Sequence, residues 1–153
     1  MIELDLPQDY VDQLLDASAE FVVIGGWAVA VHGHGRATDD LDILVRPTPE
    51  NAAKVYKALQ AFGAPLAAHG VTADLFAQPE YGYRIGLKPV LIQILTTISG
   101  IGFDEANRDR VLVPLAGHPV PFIGRVALLA NKRAAGRAND LADVEALESE
   151  RDA

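Results

Sequence analysis

The sequence predicts an α+β fold, a mixed β-sheet with helices packed on it, on the strength of three observations. Short apolar or alternating runs with strand character recur along the chain, among them Phe21–Ile24 and Asp40–Val45. Segments with apolar residues three or four apart lie between them and read as helices. Glycine and proline punctuate the joins, and no stretch is long enough to link two separate domains. The 153 residues therefore read as a single domain, with a core over about 20–123 and two C-terminal helices over about 125–150.

Each element has its own signal. Pro7 suits the first turn of a helix carrying Tyr10, Val11, Leu14 and Leu15 at helical spacing. Phe21-Val22-Val23-Ile24 reads as a buried strand stopping at a Gly25-Gly26 turn. Trp27–Val31 reads as a short helix closed by Gly33-His34-Gly35. In the strand Asp40–Val45, period-two alternation puts Leu41, Ile43 and Val45 on one face and Asp40, Asp42 and Leu44 on the other. Pro49-Glu50 opens a helix whose apolar face is Val55, Leu59 and Phe62, and Gly63 closes it. Residues 64–80 read as loop with a brief strand near Val71–Phe76. Tyr83–Leu87 and Val90–Leu95 read as strands around Lys88-Pro89, and Phe103–Arg108 as a short helix. Val111–Leu115 and Val120–Ile123 flank Gly117-His118-Pro119 and read as a hairpin of edge strands, since each region contains proline. Helices over about 125–135 and 139–150 follow, with Gly136 as the break and Asn139 as N-cap.

Composition excludes several classes of function. With 50% hydrophobic and 22% charged residues the chain is globular rather than disordered. The absence of cysteine excludes a disulfide scaffold, a thiol nucleophile and any thiolate metal site. A net charge of −8 argues against a broad non-specific nucleic-acid surface, while leaving a local basic patch open. The acidic start, Met1–Tyr10, lacks the order of a signal peptide, and the apolar run Phe21–Val31 falls far short of the roughly 20 residues that span a bilayer. A soluble, cytoplasmic protein is the expectation. No P-loop occurs, Gly100-Ile101-Gly102 lacks the third glycine of a dinucleotide motif, no serine sits in a nucleophile elbow, and His32 and His34 form no zinc motif.

One constellation carries chemistry: Gly25-Gly26-Trp27-Ala28, His32-Gly33, then Arg36-Ala37-Thr38-Asp39-Asp40-Leu41-Asp42-Ile43. Two glycines at a strand-to-helix junction let backbone N–H groups approach a phosphate closely. On the next strand, Asp40 and Asp42 project from one face, where their oxygens can share a divalent cation. Hard cations such as Mg²⁺ take carboxylates together with substrate phosphates. A phosphate seat beside an Asp-x-Asp platform is what phosphoryl or nucleotidyl transfer requires.

This stretch resembles the nucleotidyltransferase fold of the DNA polymerase β superfamily, most closely its small bacterial AbiEii-like and minimal nucleotidyltransferases. The matching residues are Gly25, Gly26, Ala28, His32, Gly33, Arg36, Thr38, Asp40, Leu41, Asp42 and Ile43. Leu129-Ala130-Asn131-Lys132-Arg133 through Gly136-Arg137, Asp140-Leu141 and Asp143 resembles the family's C-terminal helices, so the likeness spans roughly 20–147. The resemblance implies that Asp40 and Asp42 bind Mg²⁺ and that Gly25 and Gly26, with Arg36 and Thr38, hold a nucleoside triphosphate. It brings Lys132 and Arg137 toward the triphosphate or the acceptor. The implied reaction is in-line attack on the α-phosphate with loss of pyrophosphate. The acceptor (RNA, protein or small molecule) is not encoded in any motif. A homo-oligomer or a partner protein could complete the cleft, and family analogy extends to a toxin–antitoxin pair.

The pattern breaks at Ile92-Gln93-Ile94-Leu95-Thr96, where Gln93 stands in place of the family's third carboxylate. Gln93 shares a face with Leu91 and Leu95 and is expected to face the polar cleft, because a buried amide needs partners. Glutamine cannot take a proton from an attacking hydroxyl, a loss on the order of 10²–10⁴ in rate if that group acts as general base. Asp74 is one candidate substitute; Asp39 is expected to point to the opposite face from Asp40 and Asp42. A degenerate, non-catalytic binding protein is therefore the alternative to a nucleotidyltransferase.

Several residues keep two readings. Lys132, Arg133 and Arg137 complement a helix dipole or contact phosphate. Asp143 reads as a dipole complement. His32 reads as a helix-end hydrogen bonder. Arg36 is a surface residue or orients an aspartate. Tyr81 and Tyr83 are ordinary strand surface or a base-stacking platform, with the former favoured.

Overall fold

The computed structural model describes residues 8–33, 40–86 and 91–152. Its elements in chain order are α1 (Gln8–Asp16), β1 (Phe21–Ile24), α2 (Gly25–Val31), β2 (Asp40–Val45), α3 (Pro49–Phe62), β3 (Gly82–Ile85), β4 (Leu91–Leu95), α4 (Phe103–Arg108), β5 (Val111–Leu115), β6 (His118–Phe122), α5 (Arg125–Ala135) and α6 (Ala138–Asp152). The expected α+β class is observed. The six strands form one mixed sheet in the order β3-β4-β2-β1-β6-β5. β2 runs antiparallel to β1 and parallel to β4, so the acidic strand lies between two partners near the middle of the sheet.

Alternation on β2 follows the expected pattern. Leu41, Ile43 and Val45 are buried, while Asp40 and Asp42 on the opposite face are only partly covered. Leu44 is also buried, so apolar packing resumes one pleat beyond Asp42. Helix α3 begins with Pro49 after a Thr48 cap and ends at Gly63, whose φ of +95° is the left-handed close that glycine favours. Asn51 is buried at its start. It accepts from the Glu20 N–H (2.7 Å) and donates to the Glu20 and Arg46 carbonyls (2.9 and 3.0 Å), tying α3 to both β1 and β2. Phe62, expected on the apolar face, is 37% exposed and makes an edge contact with the buried ring of Tyr10.

Four expectations are corrected. The strand expected near Val71–Phe76 is a 3-10 turn over Ala73–Ala77. That segment buries a single anchor, Phe76, against Tyr81 and Tyr83, so alternation along an extended chain is not required. β6 is not an edge strand, because it lies between β1 and β5. The Ile123 N–H bonds to the Val23 carbonyl, so alternation directs the amide nitrogens of Pro119 and Pro121 toward β1 as well. The missing proline donors thus fall on the side where pairing with β1 is confined to the end of β6. α2 begins at Gly25 rather than Trp27, placing both glycines inside its first turn. α6 begins at Ala138, with the Arg137 carbonyl accepting from the Leu141 N–H, so Asn139 lies within the first turn instead of capping it.

Candidate functional site

The sheet register assembles the site. Asp42 pairs with Ile24 on one side and Gln93 on the other. β1 therefore ends beside Asp42, and the chain turns at once into Gly25. The φ of Gly25 is +68°, and a Cβ placed on it would lie 2.5 Å from Oδ2 of Asp42. Any side chain there would strain the backbone and push the Asp42 carboxylate aside, so glycine suits that corner for conformation and for space.

Gly25, Gly26, Asp40, Asp42, Gln93, Lys132 and Arg137 all line one cleft of about 690 Å³, along with Asp140 and the polar Thr97, Ser99, Asn131 and Asn139. These elements are far apart in sequence. Arg36 and Thr38, and also Asp39, lie outside the described residues. Asp74 does not line the cleft; its carboxylate accepts from the Thr72 hydroxyl at 2.5 Å, so it is no substitute for a third acid.

Asp42 is electrostatically under pressure. Burial pushes its carboxyl above the ordinary range, and neighbouring Asp40 pushes it further, while Lys132, Arg84 and Arg137 oppose the shift. Its Oδ1 is buried and accepts no hydrogen bond among the described residues. A desolvated carboxylate beside a second one is what a divalent cation compensates. Among the described residues no group of three or more acidic or histidine side chains forms a complete metal cage. Mg²⁺ does not need one, since it keeps waters and takes one or two carboxylates with substrate phosphates. The donor set fits that ion.

The opposite wall is an ionic cluster from α5 and α6. Gly136, with φ +67°, turns the chain between the two helices. Lys132 is 5% exposed, and its Nζ lies 3.0 Å from Oδ1 of Asp140 and 3.2 Å from Oδ2 of Asp143. Arg137 donates from Nε to Oδ2 of Asp140 at 2.6 Å. Burial works to raise the Asp140 carboxyl, but bonds from Arg137 and Lys132 outweigh it and hold the carboxyl below its ordinary value. Asp143 is thus a buried partner of Lys132, which corrects its reading as a dipole complement. The three-residue spacing of Asp140 and Asp143 puts both on the helix face toward α5. Arg133 pairs with Glu148 instead of lining the cleft.

Gln93 faces the cleft as expected, with Ile92 and Ile94 buried on the other side of β4. His32 behaves as a helix-end group, its Nε2 lying 2.7 Å from the Ile123 carbonyl oxygen. Tyr81 and Tyr83 are neither open strand surface nor a stacking platform. Both pack edge-on against Phe76, and the Tyr83 hydroxyl lies 2.8 Å from Nδ1 of His69. Sequence reasoning missed Arg84, which pairs directly with Gln93 across β3 and β4. Its alternation with buried Tyr83 and Ile85 was visible, but the strand it faces was not.

No family model and no curated protein sequence matches the chain. Solved structures do. A Thermotoga maritima protein assigned as a nucleotidyltransferase is similar at TM-score 0.59 and 16% identity, over 95% of this chain and 88% of that one. The lincosamide antibiotic adenylyltransferase LnuA, bound to lincomycin, is similar at TM-score 0.57 and 16% identity, over 95% and 99%. The antibiotic-resistance factor ANT(2'')-Ia is similar at TM-score 0.59 and 15% identity, over 96% and 85%. The chain has a nucleotidyltransferase fold.

Proposed function

We propose that this protein is a Mg²⁺-dependent nucleotidyltransferase, moving a nucleoside monophosphate from a triphosphate to an acceptor hydroxyl. The observation that carries the reading is the placement of Asp40 and Asp42 on one face of β2 with Asp42 against the Gly25 corner. Asp40 and Asp42 would hold the ion, which supplies charge neutralisation at the reacting phosphate. Gly25 and Gly26 leave room for the phosphates to approach the backbone. Arg137, exposed at the cleft, offers a guanidinium to the same phosphates. The acceptor oxygen bonds to the α-phosphorus, the bond to the β-phosphate oxygen breaks, and pyrophosphate leaves. The hydroxyl proton passes to water, because Gln93 cannot accept it.

The likeness to LnuA supports a small molecule as acceptor. The lack of a signal-peptide pattern and of a membrane-length apolar run supports a cytoplasmic setting, and the AbiEii resemblance supports a role in a toxin–antitoxin pair. Gln93 supports a second reading, a nucleotide-binding protein that transfers nothing. Binding of labelled triphosphate with Mg²⁺, followed by a search for labelled product, separates the two. Binding lost in Asp40→Ala and Asp42→Ala with pyrophosphate released supports the enzyme. Binding without release supports the second reading, and no binding at millimolar nucleotide rejects both.

A further inference from the structure

We infer that the acceptor carries an anionic group, a phosphate or a carboxylate, near its attacking hydroxyl, and that Arg84 binds that group. The inference rests on the nucleotidyl-transfer reading above.

Directly paired residues on neighbouring strands share a face of the sheet. Asp42 pairs with Gln93, and Gln93 pairs with Arg84, so the three form one row across β2, β4 and β3 on the cleft side. The flanking Tyr83 and Ile85 are buried on the other face, whereas Arg84 is exposed. No carboxylate forms an ion pair with Arg84 among the described residues. Its charge nevertheless reaches Asp42, where it opposes the upward push on that carboxyl.

The direction of attack follows from the row. The glycine corner adjoins Asp42 from the β1 side, and Gln93 and Arg84 lie on the far side, over β4 and β3. In-line displacement places the entering and leaving oxygens on opposite sides of the phosphorus. With the triphosphate seated at the glycines, the acceptor enters over β4 and β3. The group pair it meets there is a neutral amide and a guanidinium that has no ion pair among the described residues. A cationic acceptor would face a like charge. A neutral one would leave the guanidinium without use. An anionic one gains a charge-assisted, two-pronged contact. The same pairing accounts for the amide at position 93. Cross-strand Cβ atoms lie about 4.5–5.5 Å apart, so a carboxylate there would be captured by Arg84.

The test uses the full chain saturated with Mg²⁺ and a non-hydrolysable triphosphate, whose binding is measured first. Glycerol, glycerol 3-phosphate and glycerate are then titrated, with affinities read from the arginine side-chain NMR signals. At least one charged probe is expected to bind about tenfold more tightly than glycerol, the scale of one charged hydrogen-bonded contact. Which of the two does so identifies phosphate or carboxylate. In Arg84→Gln the preference is expected to fall below about twofold. Triphosphate binding without a charged-probe preference, or a preference that survives in Arg84→Gln, overturns this inference alone. Failure of the triphosphate to bind overturns the nucleotidyl-transfer reading and this inference with it.

Discussion

Gly25 and Asp42 are fitted to one another so closely that a single added carbon on the glycine would lie 2.5 Å from the Oδ2 of the aspartate. Gly25→Ala therefore carries both backbone strain and a displaced carboxylate. A loss of about 1–3 kcal/mol in urea unfolding is expected from the strain. Triphosphate binding should fall as well. Gly63→Ala is the matched control, because its φ is +95° but a Cβ there meets nothing within 4 Å. It should lose stability and keep its affinity for nucleotide.

Asp42→Asn should raise the thermal midpoint of the metal-free protein while abolishing the further rise produced by Mg²⁺ and triphosphate. Burial and Asp40 both disfavour the charged carboxylate, so its neutral isostere relieves the fold. Function and stability oppose each other at this position. A lower midpoint for Asp42→Asn would argue that the carboxylate is held by partners rather than strained.

Lys132→Met should be among the most damaging single changes outside the apolar core. It leaves Asp140 and Asp143 buried without their shared cation, at a cost of about 3–5 kcal/mol. Adding Asp140→Asn and Asp143→Asn should recover part of that loss, since neither side chain is then buried as a carboxylate without the lysine. Denaturant midpoints of the single and triple variants check both statements.

Acid should unfold the protein partly through Asp140. Its carboxyl titrates below the ordinary 3.8 in the folded state, so the unfolded chain binds more protons in that window. Its stabilising contribution is complete above 3.8 and is lost as pH falls through the lower folded value. Asp42 acts in the opposite sense above 3.8, where its raised value makes the folded state the better proton binder. Stability measured against pH should therefore be shallower below 3.8 in Asp140→Asn than in the natural protein.

Local pattern made much of the site legible. The alternation Asp40-Leu41-Asp42-Ile43 announces two carboxylates on one face, and the Gly25-Gly26 junction announces a tight corner beside a strand end. Gln93 among Leu91 and Leu95 announces a polar residue that must find the cleft. Pairing across long separations was not legible. That Arg84 meets Gln93 depends on the register of β3 on β4, and that β6 sits inside the sheet depends on contact with β1, about a hundred residues earlier in the chain. Asp143 looked like a helix-terminal charge because its partner, Lys132, lies on a different helix. The 3-10 turn around Phe76 escaped for a related reason, since one buried ring leaves no periodic trace.

The most direct measurement is calorimetric titration of the full chain with a nucleoside triphosphate, with and without Mg²⁺, in the natural protein and in Asp40→Ala and Asp42→Ala. Saturable binding that requires Mg²⁺ and disappears in both variants is the predicted result. Binding that persists without the metal or survives the loss of either carboxylate would contradict a magnesium platform at the glycine corner.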